Sequence, residues 1–237
     1  MKMDGNTILI TGGATGIGYA MAEYFLGRKN TVIICGRRED RLKQTAKELP
    51  GIDAVKCDVA NPRDRENLLS YIKTKYPKLN ILINNAGIQR DVDLTKGLDE
   101  LDPGAGEIKI NFEAPIYLSA LFTPFLAGKE NAAIINVSSG LAFMVEYSIG
   151  MPVYCATKAG IHAFSLAQRK QLERLKIKVI EIIPPMVESE LNIEGRKKRN
   201  LVKTPYMVSA GEFVKKAFEK MENEEDEIRW ESGSWKR

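Results

Sequence analysis

The segment Thr7–Gly18, TILITGGATGIG, carries the strongest indication of the fold. A short apolar run, Ile8–Ile10, leads into a turn with glycines at positions 12, 16 and 18, and a helix-like stretch, Ile17–Arg28, follows it. The spacing is G-x-x-x-G-x-G rather than G-x-G-x-x-G, but the physical reason is shared. Glycines permit a tight turn, and a backbone without Cβ atoms lets a phosphate approach the amino terminus of the helix. The segment predicts a strand, a phosphate-binding turn and a helix.

Similar apolar runs, rich in Ile and Val, recur along the chain with helix-like stretches such as Arg38–Leu49 and Arg63–Lys75 between them. The runs are Val32–Ile34, Ile52–Val55, Ile81–Ile83, Ile134–Val137 and Val179–Ile183. Near-continuous apolar runs are typical of strands buried on both faces of a parallel sheet. We therefore predict one α/β domain over residues 1–237, with a doubly wound Rossmann-type fold. Its mostly parallel sheet has six to seven strands, with helices on both faces.

Polar or glycine residues follow each of these predicted strands. After the first strand's Thr11-Gly12-Gly13, the later endings are Gly36-Arg37, Asp58, Asn84-Asn85, Ser138-Ser139 and Pro184-Pro185. In open parallel sheets the ligand crevice lies beyond the carboxyl ends of the strands. Loops are commonly polar, but six such endings at one sheet edge favour a binding site there.

Composition argues against several classes of protein. The sequence is 44% hydrophobic and 28% charged with a net charge of +4, which is typical of a soluble globular protein and does not indicate nucleic-acid binding. Three scattered cysteines and one histidine, His162, predict neither a disulfide framework nor a metal site. We find no candidate membrane span and no secretory signal, and we expect a cytoplasmic protein. The charge runs Gly195–Lys203 and Glu222–Glu227 are expected to be solvated surface.

The second predicted strand ends in Cys35-Gly36-Arg37-Arg38. Proteins that prefer NAD tend to place an acid here to bind the ribose hydroxyls. This chain has Gly36 in that place, and the guanidinium of Arg37 next to it can pair with a 2′-phosphate. The two arginines could instead open a surface helix, but the missing acid favours NADP.

Tyr154 and Lys158 stand at i and i+4, which on a helix places a phenol and an ammonium on one face. A neighbouring cation lowers the pKa of a phenol, ordinarily about 10, toward the range where it can transfer protons. Ser138-Ser139 end the fifth strand, where a hydroxyl can stabilise charge on a substrate oxygen. The alternatives are that Tyr154 and Lys158 are ordinary surface residues and that the two serines only form a turn. Their location just after the fifth strand favours catalysis.

Asn111 lies in a helix-like stretch, Gly106–Leu121, with Pro115 four residues later. Proline has no N–H, so the backbone carbonyl of Asn111 would lack its helical partner. A free carbonyl could hold a water that passes protons to Lys158, or the proline could simply kink the helix. The sequence leaves both interpretations open.

Together these residues resemble the short-chain dehydrogenase/reductase family, in its compact single-domain branch. The matching motifs run from about Thr7 to Leu191 and occur in family order: Thr11–Gly18, Asp58-Val59, Asn84–Gly87, Asn111, Asn136–Ser139, Tyr154–Lys158 and Pro184–Ser189. The resemblance implies hydride transfer between NADP(H) and a small-molecule carbonyl or alcohol.

The resemblance also implies a role for each residue. Tyr154 would be the general acid/base, Lys158 would lower its pKa and hold the nicotinamide ribose, and Ser139 would orient the substrate carbonyl. Asn111 would complete a proton relay. The residues implied to bind cofactor are Gly12, Thr15, Gly16, Ile17, Gly18, Arg37, Arg38, Asp58, Val59, Asn85, Ala86, Gly87, Tyr154, Lys158, Pro184, Val187 and Ser189.

The chain departs from the family pattern in two places near the expected centre. Ser139 lies two positions further from Tyr154 than in most members, and Leu141 occupies the usual spacing without a hydroxyl. The usual Pro-Gly after the sixth strand is Pro184-Pro185. This substitution and the tyrosine-rich loop are similar to the bacterial oxidoreductases encoded with D-alanyl-teichoic acid genes. The short carboxy-terminal part, Trp230 to Trp235, indicates that a tetramer-forming tail would differ.

Two other functions are possible on this fold. Epimerases and dehydratases also use a Tyr/Lys pair, but they usually carry a larger second domain. A catalytically silent NADP-sensing protein is the other alternative, and it predicts damaged catalytic positions, whereas all four are intact here. We expect a homodimer or homotetramer.

The substrate region is expected in two segments. Leu141–Val153 would form an apolar substrate face through Phe143, Met144, Tyr147 and Met151, unless these side chains pack against the domain. Residues 190–206 are the expected lid loop. Within it, Arg196–Arg199 could attract an anionic substrate, although a solvated loop is favoured.

Overall fold

In a computed structural model of the protein, residues 1–101, 106–144, 146, 149–201 and 204–230 are described. The strands are Thr7–Thr11 (β1), Thr31–Gly36 (β2), Asp53–Lys56 (β3), Ile81–Asn84 (β4), Ala133–Val137 (β5), Lys178–Ile183 (β6) and Glu227–Arg229 (β7). All pair in parallel, in the order β3-β2-β1-β4-β5-β6-β7. The predicted doubly wound parallel sheet is confirmed.

The helices surround this sheet. They are Gly16–Leu26 (α1), Glu39–Glu48 (α2), Pro62–Lys75 (α3), Ala114–Leu126 (α4), Pro152–Leu172 (α5), Ile193–Lys198 (α6) and Ala210–Glu222 (α7). Short 3₁₀ segments lie at Leu94–Glu100, Gly140–Ala142 and Glu173–Leu175. As expected, Pro62 opens α3, and the side chain of Asn61 caps it by accepting the N–H of Arg63.

Both faces of the sheet are buried, which explains the near-continuous apolar runs. Ile8 and Ile10 of β1 belong to one core cluster, which includes Phe25 of α1 and Phe218 of α7. Leu9, between them, belongs to the opposite cluster with residues of α3 and α4. Alternate side chains of a strand point to opposite faces, so both sets must be apolar when helices cover both faces.

Two strands differ from expectation because they lie at the sheet edges. β3 pairs with β2 alone and its residues are half-buried or exposed, so its predicted burial on both faces is wrong. No apolar run marked the seventh strand of the predicted six to seven, and β7 begins at Glu227, the last residue of the acidic run that was expected to be solvated. It pairs with β6, and its Ile228 is buried.

Strand order reverses between β1 and β4, which are hydrogen-bonded neighbours although two strands separate them in sequence. Ligands of doubly wound sheets bind beyond the carboxyl ends of the strands at such a reversal. Among the described helices, none has the length and apolar character that a bilayer crossing requires.

Candidate active site

The turn between β1 and α1 is built from glycines that leave no room for side chains. Gly12 and Gly16 have φ values of +66° and +56°, which are strained for other residues. A Cβ atom on Gly18 would lie 2.2 Å from the carbonyl oxygen of Gly12. On Gly12 it would lie 2.9 Å from Cα of Ala86. The turn therefore packs tightly onto both α1 and the loop that follows β4.

Thr11 and Asn85 join β1 to the β4 loop at the reversal of strand order. The hydroxyl of Thr11 accepts the N–H groups of Asn85 and Ala86, each at 3.0 Å, and donates to the carbonyl of Ile83. The side-chain amide of Asn85 donates to the carbonyls of Thr11 at 2.9 Å and Gly12 at 3.2 Å. These bonds hold the glycine turn against the Asn85–Gly87 segment.

A cleft of about 890 Å³ extends from this turn along the carboxyl edge of the sheet. It brings together every predicted site residue except Asp58 and Asn111. Asp58 instead accepts the N–H of Ala60 at 3.0 Å and stabilises the turn after β3, while the next residue, Val59, does line the cleft. Glu190 and Asn192 of the expected lid loop also line the cleft, whereas Arg41 and Arg90 line it without having been predicted.

At one end of the cleft, arginines of the β2–α2 region gather around a carboxylate. Arg38 Nη1 lies 2.9 Å from Glu190 Oε2, and Arg41 Nη2 lies 2.6 Å from Glu190 Oε1. Arg38 also donates to the hydroxyl of Thr15 at 3.3 Å. Arg37 lines the cleft too. The sequence could have indicated that Arg41 belongs to this site, because it follows Arg38 by three residues and a helix would place both on one face.

At the other end, Tyr154, Lys158 and Ser139 converge, and each is at most 9% exposed. Tyr154 and Lys158 occupy the first turns of α5, with the ammonium 5.8 Å from the centroid of the phenol ring. Lys158 Nζ donates to the carbonyl of Val137 at 2.8 Å. Ser139 hydrogen-bonds to Tyr154. A phenol, a hydroxyl and an ammonium thus face one end of the cleft.

Burial controls the acidity of this pair. It raises the pKa of Tyr154 to about 12, against the lowering effect of the Ser139 hydrogen bond. It lowers the pKa of Lys158 to about 8, because an ammonium is costly to desolvate. The expected lowering of the Tyr154 pKa by Lys158 is not found here, because burial is the largest influence on that pKa and raises it, while the ammonium of Lys158 donates to the Val137 carbonyl.

Asn111 is buried in a π-helix, Lys109–Glu113, where a continuous α-helix was expected. Such π segments are frequent at functional sites. Its side-chain oxygen accepts the N–H of Ile88 at 2.9 Å, and its amide nitrogen donates to the carbonyl of Ile88 at 2.8 Å. A Cβ on Gly87 would lie 3.4 Å from Asn111 Oδ1 and 3.6 Å from Lys158 Nζ. Asn111 therefore clamps the loop that separates it from Lys158.

Part of each expected substrate segment lies beside Tyr154, whereas Phe143 packs against His162 instead. Met151, Tyr154 and Cys155 form a small apolar cluster with Leu141 and Leu191 packed on it. Tyr147, expected on the same face, lies outside the described residues, as do Val202 and Lys203 of the lid loop and Trp235.

The basic run after β6 was expected to be a solvated loop, which holds for the exposed Lys197 and Lys198 but is wrong for Arg196. Part of it forms α6, and Arg196 is only 6% exposed and donates to the carbonyl of Ser189. Arg199 forms an ion pair with Asp91, whose carboxylate also accepts from Asn192 at 2.8 Å. These contacts attach the segment to the rim of the cleft.

Comparison with known proteins agrees with this geometry. The family model described as short chain dehydrogenase matches residues 6–200. The chain belongs to the short-chain dehydrogenase family. It is thus an oxidoreductase of this family, as the motifs predicted.

Individual relatives support the assignment. The uncharacterized oxidoreductase DltE of Bacillus subtilis (strain 168) is 47% identical over 230 residues, which cover 96% of this chain and 89% of that protein. This relative confirms the narrower resemblance to the bacterial oxidoreductases encoded with D-alanyl-teichoic acid genes.

Solved structures of the same fold hold different cofactors. A short-chain dehydrogenase from Sphingobium yanoikuyae in complex with NADPH aligns with a TM-score of 0.81 at 26% identity, over 94% of this chain and 87% of that one. A short-chain dehydrogenase/reductase from Burkholderia phymatum in complex with NAD aligns with a TM-score of 0.84 over 96% and 89%, but at 18% identity it supports the fold alone.

Proposed function

We propose that this protein reduces a small-molecule carbonyl, or oxidises the corresponding alcohol, with NADP(H). The observation that carries the proposal is that Tyr154, Lys158 and Ser139 meet at one end of the same cleft whose other end holds the glycine turn and an arginine pair. Acid/base groups and an anion site at opposite ends of one cleft suit a dinucleotide with a reactive end and a phosphorylated end.

The cleft residues fit a dinucleotide. Gly12, Gly16 and Gly18 leave the backbone bare at the amino terminus of α1, where a pyrophosphate is stabilised by free N–H groups and the helix dipole. Asn85–Gly87, Pro184, Val187 and Ser189 would line its course toward Tyr154. When bound, the nicotinamide supplies the hydride.

NADP is favoured over NAD by the chemistry at the end of β2. Arg38 and Arg41 already coordinate a carboxylate, and a phosphate presents the same kind of acceptor oxygens to a guanidinium. Gly36 stands where an acid would bind the ribose hydroxyls. The positive charge of Arg37 beside them adds to the attraction for a 2′-phosphate.

Each catalytic side chain has a distinct task in this proposal. During reduction, the phenol of Tyr154 gives its proton to the carbonyl oxygen while the carbonyl carbon receives the hydride. The reverse transfers oxidise the alcohol. The hydroxyl of Ser139 hydrogen-bonds to the same oxygen and orients it. Lys158 favours the phenolate by its charge, and Asn111 positions the loop through Ile88 so that the lysine can face the cleft.

The test is NADPH oxidation by the full chain against aldehydes, ketones and quinones, with Tyr154→Phe beside wild type. Removing the acid/base should lower kcat by about 10²–10⁴-fold, while NADPH still binds. Tyr117→Phe is the matched control, because its phenol is exposed on α4, and it should keep wild-type turnover. Tight NADPH binding without turnover of any substrate would favour the silent NADP-sensing alternative.

A homodimer or homotetramer is part of the same proposal. Light scattering of the purified protein, whose chain mass is 26.5 kDa, would show it as a mass of two or four chains.

A further inference from the structure

Glu190 links the loop after β6 to the start of α2. Its two carboxylate oxygens are divided between two guanidinium groups, Arg38 at 2.9 Å and Arg41 at 2.6 Å. The arginines are 152 and 149 positions away in sequence, so folding alone brings the charges together. Glu190 is thus the anion that the protein itself supplies to this arginine pair.

The surroundings make this location an anion site. Arg38 is the N-cap residue of α2 and Arg41 lies in its first turn, where the helix dipole also favours negative charge. The acidic Glu39 in the same turn pairs with Lys43 and Lys56, and so does not occupy the arginines. The hydroxyl of Thr15, in the glycine turn, accepts a hydrogen bond from Arg38 at the same place.

We propose that Glu190 sets the cofactor preference of this protein by competing with the 2′-phosphate for Arg38 and Arg41. This inference rests on the proposed function. A 2′-phosphate can reach the arginines only after the Glu190 carboxylate has left them. A 2′-hydroxyl is neutral and leaves both ion pairs intact. Glu190 therefore weakens the binding of NADPH but not that of NADH. It narrows the difference between the dissociation constants of the two cofactors.

The size of the effect follows from the exposure of the pairs. The side chains of Arg38, Arg41 and Glu190 are 37–54% exposed, and exposed ion pairs contribute little each. Two such pairs broken together correspond to a change of about three- to tenfold in the dissociation constant. Because exposed charges are screened, the effect should shrink at high ionic strength.

The experiment compares wild type with Glu190→Gln, which keeps the shape of the side chain and removes its charge. NADPH and NADH are titrated separately by calorimetry at low salt and in 0.5 M NaCl. We expect NADPH to bind about three- to tenfold more tightly to the variant at low salt, and NADH binding to change less than about twofold. Glu194→Gln is the matched control, because Glu194 lies in the same segment but forms its ion pair with Lys197 rather than with Arg38 or Arg41, as far as the described residues show.

The outcomes separate this inference from the proposed function. An unchanged or weaker affinity of Glu190→Gln for NADPH, or an equal change for both cofactors, overturns the role of Glu190. If wild type binds NADH more tightly than NADPH, but Glu190→Gln still changes the affinity for NADPH alone, the NADP preference is refuted and the role of Glu190 is kept. Binding of neither cofactor by wild type refutes both.

Discussion

The buried ammonium of Lys158 should give the protein an unusual dependence of stability on pH. Burial lowers the pKa of Lys158 from 10.5 to about 8. The unfolded chain keeps this proton up to its ordinary pKa, whereas the folded protein releases it near pH 8. Between these values the unfolded state binds more protons, so the free energy of unfolding rises with pH.

Lys158→Met removes this titration and isolates its contribution. The lowered pKa corresponds to a change of about 3 kcal/mol in the free energy of unfolding. About 2–3 kcal/mol of this change should appear between pH 7 and pH 10. Tyr154 acts in the opposite direction, since its pKa is raised to about 12, but that destabilisation begins only above pH 10. Groups that titrate in both proteins cancel in the difference between them.

The assay is urea unfolding followed by circular dichroism at pH 7, 8, 9 and 10 and constant ionic strength. The free energy of unfolding of wild type minus that of Lys158→Met should rise by about 2–3 kcal/mol across the series. Lys170→Met, which removes an exposed ammonium from the same helix, should parallel wild type. Parallel curves for wild type and Lys158→Met would refute the argument that the ammonium is desolvated.

Three further predictions concern packing and charge. Gly18→Ala should destabilise the protein by about 1–3 kcal/mol in urea unfolding and abolish NADPH binding, because its Cβ would lie 2.2 Å from the Gly12 carbonyl; wild-type affinity would contradict this. His162→Leu should lower the free energy of unfolding by about 2–4 kcal/mol in the same assay, because it leaves the fully buried carboxylate of Glu181 without its partner at 2.7 Å. A double variant with leucine at positions 162 and 181 should recover most of this loss. Arg37→Glu should raise the Kd for NADPH relative to that for NADH, and an unmoved ratio would remove Arg37 from the cofactor site.

The fold could be predicted where burial on both faces produces continuous apolar runs. β1, β2, β4, β5 and β6 all carry that pattern. β7 could not be found this way, because a three-residue edge strand with one buried side chain, Ile228, has no periodicity to detect. The same edge position explains the partial exposure of β3.

The site could be predicted where its chemistry is local in sequence. The glycine turn, the serine after β5 and the Tyr154/Lys158 spacing each lie within a few residues, and all of them line the cleft. Glu190 could not be assigned a role, because its partners lie about 150 positions away. The burial of Arg196 was missed for a different reason, because a run of basic residues does not show which of its side chains is buried. The pKa of Tyr154 depends on burial and on the hydrogen bond with Ser139, and a spacing of four residues indicates neither.

The most direct test of the central claim is to follow the hydride itself. NADPH carrying deuterium at both C4 positions of the nicotinamide would be incubated with the protein and a carbonyl substrate identified in the turnover screen, and the product analysed by mass spectrometry. The account predicts one deuterium on the former carbonyl carbon of the alcohol with wild type, and at least about a hundredfold less labelled product with Tyr154→Phe over the same period. Product without deuterium from either face of the labelled cofactor, or equal labelling by Tyr154→Phe, would contradict it.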